Sequence, residues 1–378
     1  MIKTNQSSWD IFCRVVDNFG DIGVCWRLAK QLHDEYSLKI RLWVDDLNVA
    51  SQLIAGLDSS RHTQQVHGIE VCFWGDDASF ISVSPADIVI EAFACELPSP
   101  YIQHMLANKP IWLNLEYLSA EKWVDDFHAK SAIHPSTGLQ KTCFFPGFNT
   151  QTGGLIREQN LSAKRDAFKS ETQAQHAFWQ QLNISPQTDA LKVSLFCYPH
   201  APIHSLLTSM AYGTQAVQCF VPSTASLPII AAYFGKQHLD IGETLSQGQL
   251  SLTIIPFLSA SDYDHLLWAC DLNFVRGEDS WVRALWSAQP FIWQAYPQDE
   301  KLHLKKLTAF LDTYQITPSD ILSVFHHAWL DAEISVDIWN KLIEALPALK
   351  KHAQKQTAQF EKQADLAAKL VIFTKIQV

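Results

Sequence analysis

A chain of 378 residues exceeds the size at which a single hydrophobic core usually stops growing, so we expect two domains. Apolar residues make up 47% of the chain and charged residues 18%, a composition that excludes an intrinsically disordered chain. The net charge of −10 argues against a surface for nucleic-acid phosphates and favours a cationic partner.

The sequence contains no apolar run long enough to span a membrane, and its N-terminal segment lacks the apolar stretch of a signal peptide. We therefore expect a cytoplasmic protein that binds neither membrane nor nucleic acid. The eight cysteines are scattered singly, which predicts buried, reduced thiols. Neither they nor the 15 histidines show a zinc-binding spacing, so we predict no metal site.

Apolar segments in the first half of the chain have the length and composition of buried strands. Helical patterns, such as those over 23–36 and 99–109, lie between several of them. Continuous apolar strands separated by helices predict a parallel sheet that is covered on both faces. The predicted strands are 9–16, 39–46, 69–74, 86–93 and 110–118.

A second alternating series follows a glycine-containing loop and a polar helical stretch that ends near residue 183. Its predicted strands are 191–198, 215–222, 250–258, 271–275 and 290–296. We predict an α/β fold with two Rossmann-like, doubly wound domains, 1–185 and 186–359, that face a cleft. The C-terminal helix, 360–378, is expected to cross back and pack on the first domain. Dehydrogenases, periplasmic-type binding proteins and two-domain glycosyltransferases share this architecture.

Two acids flank a glycine at the predicted turn from the first strand into the first helix, in the stretch "VVDNFGDIG". The chain has no G-x-G-x-x-G fingerprint, and the carboxylates of Asp17 and Asp21 would repel a diphosphate. The loop therefore favours proton transfer or recognition of a cation. Alternatively, Asp17 is a turn residue, Asp21 a helix N-cap and Gly20 a residue with positive φ.

The strongest signal in the second half is the segment 252–300, which runs strand, helix, strand, Arg-Gly-Glu-Asp-Ser, helix, strand. This order resembles the donor-binding half of GT-B glycosyltransferases. Backbone amides of 278–281 at the helix start can donate to a diphosphate, and Arg276 can neutralise it. Glu278 suits sugar hydroxyls better than phosphate. Alternatively, the acids and the serine of this segment only stabilise the helix N-terminus.

Aromatic residues follow the predicted strands of the second domain, at the carboxyl edge where α/β proteins bind ligands. Such rings suit base stacking, although for any single ring core packing is the better explanation. The rings belong to Phe196, Tyr198, Phe257, Tyr263 and Tyr296.

Several motifs taken in order resemble the EarP family, the bacterial protein-arginine rhamnosyltransferases that modify translation elongation factor P. These motifs are "FCRVVDNFGDIGVCWRLAKQL", "IEAFACELP", "LNLEYLSAEKWV", "FFPGF" with "TGGLIRE", "RGEDSWVRALW" and "PFIWQAYPQ". They cover nearly the whole chain, and motifs of this length and number are more specific than a single glycine pattern.

The resemblance implies an inverting GT-B enzyme that transfers L-rhamnose from dTDP-β-L-rhamnose to a guanidino nitrogen of one arginine of elongation factor P. That modification would activate elongation factor P to rescue ribosomes stalled at polyproline. The resemblance implies that the first domain recognises the acceptor protein and the second holds the donor. It implies no metal and no cofactor besides the donor substrate.

The resemblance also implies roles for individual residues. Asp21 would be the catalytic base, Asp17 would orient the guanidinium, and Glu278 would steer the sugar. Phe257 would stack on the thymine. The implied donor-binding residues are Asn18, Phe19, Gly20, Phe196, Tyr198, Pro256, Phe257, Arg276, Gly277, Glu278, Asp279, Ser280 and Tyr296.

Two other functions fit the same architecture. One is a sugar-nucleotide epimerase or a transferase to a small molecule, and the other is a non-catalytic sugar-nucleotide sensor. The acid pair weighs against the sensor. Glu91, Glu116 and Tyr117 also lie at carboxyl ends of predicted first-domain strands, where acceptor contact and a structural role both stay open.

Overall fold

The computed structural model describes residues 7–17, 19–317, 319–331 and 333–377. The chain divides into two compact units. Unit 1 comprises Met1–Gln159 with Lys362–Val378, and unit 2 comprises Asn160–Glu361.

Unit 1 contains an eight-stranded sheet in the order β3-β4-β2-β1-β5-β6-β8-β7. It is parallel except for β3, which pairs antiparallel with β4, and β7, which pairs antiparallel with β8. The elements are β1 Ser8–Cys13, α1 Phe19–Tyr36, β2 Lys39–Val44, α2 Leu47–Leu53, β3 Thr63–Val66, β4 Ile69–Phe73, β5 Ile88–Ala92, α3 Ser99–Asn108, β6 Ile111–Leu115, α4 Trp123–Phe127, β7 Ser131–Ile133 and β8 Gln140–Phe144.

The core of unit 1 is aromatic on one face of this sheet. Phe12 of β1 is fully buried, stacks on Trp43 at 5.7 Å between ring centroids, and meets Tyr101 of α3 edge-on at 4.7 Å. All five residues of β5 are buried, because both faces of a central parallel strand are covered. This packing fixes the strands whose carboxyl ends carry the polar residues described below.

Unit 2 repeats the plan with a six-stranded sheet in the order β11-β12-β10-β9-β13-β14, in which only β11 is antiparallel to its neighbour among the described strands. Its elements are α5 Leu161–Ser170, α6 Thr172–Gln181, β9 Leu191–Leu195, α7 Ile203–Tyr212, β10 Val217–Pro222, α8 Leu227–Tyr233, β11 Thr244–Gln247, β12 Leu250–Ile255, α9 Ala260–Ala269, β13 Leu272–Arg276, α10 Asp279–Ser287, β14 Phe291–Gln294, α11 Leu302–Thr313, α12 Ile321–Asp331 and α13 Val336–Phe360.

Each sheet has one point where the chain reverses the direction in which it adds strands. In unit 1 it lies between β1 and β5, and in unit 2 between β9 and β13. Loops that leave adjacent strands on opposite faces open a crevice at such a point, and ligands of open α/β sheets bind there. The acid loop after β1 and the residues after β9 and β13 therefore occupy the expected positions.

All ten predicted strands are present, and most end earlier than predicted. The first was predicted to end at residue 16, but it ends at Cys13, and the strand predicted over 191–198 ends at Leu195. The released residues form the loops that carry the candidate site. The sequence missed β3, β7, β8 and β11, which are short and partly polar.

The observed units differ from the predicted domains over residues 160–185, which were assigned to the first domain. In the structure α5 and α6 belong to unit 2. Arg165 donates to the Trp286 carbonyl at 2.9 Å and Lys169 donates to the Ser287 carbonyl, so both cations stabilise the C-terminal end of α10. Phe168 adds a ring contact with His265 of α9 at 4.9 Å.

The tail was predicted to return to the first domain, and it does so through a separate helix, α14 Leu366–Gln377. It is distinct from α13 because Asp365 accepts the Ala368 amide as a cap. Gln31 of α1 donates to Asp365 at 3.1 Å and to the Arg157 carbonyl at 2.7 Å. The tail thus joins the rest of unit 1 through partly buried hydrogen bonds, such as that from Gln31 to Asp365 and that from Arg157 to the Gln363 carbonyl.

No helix in the described part of the chain has the length and hydropathy needed to span a membrane. All eight cysteines are free thiols, seven of them buried and Cys143 half-buried, which confirms the prediction of reduced thiols.

Gly154 of the "TGGL" motif makes a testable contact with the tail. Its φ is +77°, and an added Cβ would lie 2.5 Å from the Ala364 carbonyl oxygen. We expect Gly154→Ala to destabilise unit 1 by more than about 1 kcal/mol, measured as a lower thermal unfolding midpoint. Gly56→Ala is the matched control, because Gly56 has φ +84° but no atom within 4 Å of an added Cβ. Equal losses in the two variants would contradict the role of the tail contact.

Candidate active site

The loop between β1 and α1 folds around the carboxylate of Asp21. Its Oδ2 accepts the backbone amides of Val16 and Asp17, both at 2.8 Å, and its Oδ1 lies 3.4 Å from the hydroxyl of Tyr117. Tyr117 follows β6, two strands away from β1. We refer to Asp17, Asp21 and Tyr117 as the acid cluster.

Burial changes the chemistry of Asp21. The side chain is only 2% exposed, and this desolvation raises the pKa of the carboxyl above its ordinary value. The amides of Asp17 and Val16 and the Tyr117 hydroxyl act in the opposite direction, because they stabilise the ionised form. A carboxylate of this kind is a better proton acceptor than an exposed aspartate.

The capping alternative for this loop is wrong in two respects. Asp21 lies inside the first turn of α1 and bonds amides that precede the helix, so it is not the N-cap. Gly20 does not have positive φ; its lack of a side chain matters because a Cβ would lie 2.7 Å from Oδ2 of Asp17. Phe19 begins α1, whereas Asn18 lies outside the described residues.

The loop after β5 borders the acid cluster and has an unusual backbone. Phe93, Ala94 and Glu96 all have φ between +53° and +57°, a conformation that is costly for residues other than glycine. Phe93 stacks on Tyr117 with 4.3 Å between ring centroids. Strain of this kind is concentrated at functional sites, so it supports a functional role for this edge of the sheet.

The strained loop is anchored by Glu91, which is 2% exposed. Its carboxylate accepts the Glu96 amide at 3.2 Å, the Trp112 indole N–H at 3.1 Å and the Lys141 ammonium at 3.0 Å. These contacts give Glu91 a structural role, which resolves one alternative left open by the sequence.

In unit 2, the guanidinium of Arg276 is held between two rings. Its central carbon lies 4.5 Å from the ring centroid of Phe196 and 4.5 Å from that of Tyr198, and Nη1 donates to the Cys197 carbonyl at 3.4 Å. Cation–π contacts of this kind fix the charge in place at the carboxyl edge. We call Phe196, Tyr198, Arg276 and the first turn of α10 the arginine cluster.

The segment Gly277 to Ser280 turns the chain from β13 into α10. Gly277 has φ +59°, and its carbonyl accepts the Trp293 indole N–H at 2.7 Å. The Ser280 hydroxyl accepts the Arg276 amide at 2.9 Å and donates to the Arg276 carbonyl. What Ser280 offers a ligand is therefore its backbone amide, not the hydroxyl.

The two acids of this turn differ in exposure. Glu278 occupies the N-cap position but makes no side-chain capping bond, and it is half-buried, whereas Asp279 is buried in the first turn. A capping hydrogen bond therefore does not explain why glutamate occupies position 278.

The predicted aromatic residues contact either Phe196 or Tyr198. The ring of Phe257 lies 6.4 Å from it and that of Tyr263 lies 5.7 Å from it, while Tyr296 meets Tyr198 edge-on at 5.6 Å. Phe196 and Tyr198 are buried, but Phe257 and its neighbour Pro256 are half-buried and Tyr296 is 47% exposed. The partly exposed rings are the ones accessible to a ligand.

Two residues of this edge were missed by the sequence reasoning. His200 stacks on Tyr198 at 5.4 Å and bonds Gln294 at 3.2 Å between nitrogen atoms, and Gln294 also accepts the Tyr198 amide at 2.8 Å. Burial, His303 and Arg276 lower the pKa of His200, so the imidazole is neutral at pH 7. Their only sequence signal was their position: His200 lies two residues after one predicted strand, and Gln294 lies near the end of another.

A cavity of about 700 Å³ lies at the opposite edge of this sheet, between α6 and the start of β9, and contacts none of the predicted site residues. The described residues contain no group of three or more histidine, cysteine or acidic side chains arranged to hold a metal ion.

The two clusters have complementary chemistry. Paired carboxylates at a sheet edge hold a cation and accept a proton, while a fixed guanidinium at a helix N-terminus holds an anion. Unit 1 thus offers groups suited to a cation, and unit 2 offers groups suited to an anion.

Comparison with known proteins identifies the family to which this chain belongs. The family model described as "Elongation-Factor P (EF-P) rhamnosyltransferase EarP" matches residues 9–375. A protein-arginine rhamnosyltransferase of Pseudomonas putida is 43% identical over 375 residues, covering 97% of this chain and 98% of the relative.

Solved structures agree. A structure described as the "Structural basis for EarP-mediated arginine glycosylation of translation elongation factor EF-P" has a TM-score of 0.71 and 31% identity, covering 99% of this chain and 100% of that chain. Anabaena HepE, in complex with UDP and glucose, has a TM-score of 0.53 at 10% identity, covering 99% of this chain and 100% of its own, which is a likeness of fold alone. With the two mainly parallel sheets, these matches confirm the predicted GT-B fold. The chain therefore belongs to the EarP family of EF-P rhamnosyltransferases.

Proposed function

We propose that this protein transfers L-rhamnose from dTDP-β-L-rhamnose to a guanidino nitrogen of one arginine of EF-P, with inversion at the anomeric carbon. The observation that carries the proposal is the buried Asp21 carboxylate beside Asp17 at the carboxyl end of β1. Family membership and the names of the relatives supply the sugar and the acceptor residue.

An arginine acceptor explains why this loop contains acids. The guanidinium pKa lies far above neutral pH, so prior deprotonation at pH 7 costs roughly 8 kcal/mol. The paired carboxylates instead hold the cation by charge-assisted hydrogen bonds and remove the proton as the new bond forms. The repulsion that makes the loop unsuitable for a diphosphate makes it suitable for arginine.

Within the pair, Asp21 is the base and Asp17 orients the guanidinium. The two backbone amides occupy Oδ2 of Asp21, which directs Oδ1 and the nearby Tyr117 hydroxyl toward the acceptor. Its raised pKa favours proton uptake relative to an exposed aspartate. Asp17 is half-buried and lies against Gly20, where a larger residue would displace it.

The arginine cluster is proposed to hold the donor. Arg276 and the amides of the first turn of α10 would bind the diphosphate, Glu278 would contact sugar hydroxyls, and Phe257 would stack on thymine. The guanidino nitrogen forms its bond to the anomeric carbon as the carbon–oxygen bond to dTDP breaks, and the proton passes to Asp21. Arg276 stabilises the negative charge that develops on dTDP. Protein groups supply the positive charge that a metal supplies in other transferases.

The direct test is the intact mass of EF-P after incubation with this protein and dTDP-β-L-rhamnose, followed by fragmentation to locate the adduct. We expect a gain of one deoxyhexose on a single arginine, retained in the presence of EDTA. Transfer to a small molecule instead of EF-P would identify the alternative transferase, and donor binding without any transfer would identify a sensor. Loss of transfer on chelation would overturn the metal-independent mechanism.

Asp21→Asn is expected to abolish transfer while the donor affinity changes by less than a few-fold, because the amide keeps the shape but cannot accept the proton. In the wild-type enzyme, kcat/KM should fall as pH drops through the Asp21 pKa, and this acid limb should lie above that of an ordinary aspartate because burial raises the pKa. Steady-state rates and calorimetry measure both. Wild-type turnover by the variant would remove Asp21 from catalysis.

Phe257→Ala is expected to weaken donor binding by about 1 to 3 kcal/mol if the ring stacks on the base. Calorimetric titration with dTDP-β-L-rhamnose measures this loss. Phe234→Ala is the matched control, because Phe234 is also a half-buried ring of unit 2 but lies at the C-terminal end of α8. Equal affinities for the Phe257 variant and the wild type would exclude stacking.

A further inference from the structure

The helix α10, whose first turn is proposed to bind the donor diphosphate, is fixed at its other end by side chains. The last four carbonyls of an α-helix have no partner within the helix. In α10 each of them accepts a hydrogen bond from a side chain, and two of the donors are cations. The pairs are Ala284 with the Ser287 hydroxyl at 2.6 Å, Leu285 with the Thr357 hydroxyl at 2.8 Å, Trp286 with Arg165 at 2.9 Å, and Ser287 with Lys169. The end of α10 opposite the arginine cluster is therefore held by α5 and α13.

The two cations at this end differ in their partners. Arg165 is buried and forms ion pairs with Glu361 at 3.3 Å and with Asp166 at 2.8 Å, so carboxylates balance its charge. Lys169 lies one helical turn farther along α5, is half-buried, and donates to a neutral carbonyl. A charge that is partly removed from water and bonded to a neutral group is the easier one to lose.

The surroundings of Lys169 place the loss of its charge near neutral pH. Burial lowers the pKa of the Lys169 ammonium to about 7, and the positive charges of Arg165 and Lys350 act in the same direction. The negative charges of Asp166 and Asp271 oppose this shift without outweighing it. The side chain is therefore charged below pH 7 and neutral above it, and in both forms it has hydrogen atoms to donate to the helix carbonyl. Titration changes the charge at this end of α10 without removing the hydrogen bond.

We propose that Lys169 is a positioning residue for the donor, whose ammonium strengthens the binding of the donor diphosphate by the first-turn amides of α10. This inference rests on the proposed function. A cation at the C-terminal end of a helix offsets the partial negative charge there, so the N-terminal end attracts an anion more strongly. The nine residues of α10 span only about 14 Å at roughly 1.5 Å per residue. All nine are buried, so salt screens this interaction less than it screens one at the surface.

The test compares the calorimetric affinity of dTDP-β-L-rhamnose for the wild type, Lys169→Met and Lys169→Arg on either side of pH 7. The donor is a diphosphate diester, so its own charge does not change in this range. Below pH 7 we expect Lys169→Met to bind the donor about three- to tenfold more weakly than the wild type, because the cation is lost. As pH rises through about 7, the wild-type affinity should fall toward that of Lys169→Met, whereas Lys169→Arg should keep the tighter binding. Asp21 and His200 titrate in all three proteins alike, so the comparison cancels their effects.

Thymidine separates an electrostatic effect from damage to the fold, because it carries the base but no phosphate. Its affinity, measured by NMR titration, should be equal in the wild type and both variants. An equal loss of thymidine and donor binding in Lys169→Met would overturn the proposal in favour of a structural role.

Lys164→Met is the matched control, because Lys164 is an exposed cation of the same helix, α5. Its donor affinity should equal that of the wild type, and a loss as large as that of Lys169→Met would reduce the effect to net charge and overturn the proposal. Wild-type donor affinity in Lys169→Met at every pH would overturn this inference alone. Absence of dTDP-β-L-rhamnose binding by the wild type would overturn the proposed function together with it.

Discussion

The acid cluster of unit 1 depends on two hydrogen bonds, from the amides of Val16 and Asp17 to one oxygen of Asp21. A buried carboxylate is costly unless hydrogen bonds compensate for lost water. These amides provide that compensation, and in doing so they fix the path of the loop between β1 and α1. The position of Asp17, the need for glycine at residue 20 and the approach of Tyr117 all follow from this one arrangement.

The two units solve opposite electrostatic problems with the same topology. Unit 1 uses the carboxyl edge of its sheet to gather carboxylates, and unit 2 uses the corresponding edge to hold Arg276 between two rings at a helix start. The strand order around each reversal point is equivalent, so the difference lies in the residues at the strand ends, in the loops and in the first helical turns. This separation between a shared framework and specialised loops is typical of folds that support many functions.

The sequence predicted the ten central strands because their residues are apolar on both faces, a pattern that few other structures produce. It missed β3 and β11, whose residues are largely polar and are held as strands by pairing with β4 and β12. Asp17 and Asp21 were identifiable because two acids beside a glycine are unusual at such a turn. The local conformation was not identifiable, because a helix cap at Asp21 and a positive φ at Gly20 depend on the detailed geometry of the turn.

Contacts between distant parts of the chain account for what the sequence did not reveal. Tyr117 reaches Asp21 across 96 residues, and Gln294 reaches the Tyr198 amide across 96. The predicted domain boundary near residue 185 differs from the observed one because the sequence did not reveal the bonds from Arg165 and Lys169 to carbonyls of α10, more than 110 residues away. The spacing of apolar residues along the chain does not predict contacts between residues so far apart in sequence.

The contact of Gly154 with Ala364 also has a consequence for synthesis on the ribosome. Unit 1 is discontinuous, so its first 159 residues emerge early, but α14 follows only after the whole of unit 2. Until then Phe144 lacks its ring contact with Phe373, and Gln31 lacks Asp365. The unit that is translated first is therefore completed last. The apolar surface of unit 1 that α14 later covers, which includes Phe144, must therefore be kept from aggregating while some two hundred further residues are added to the nascent chain.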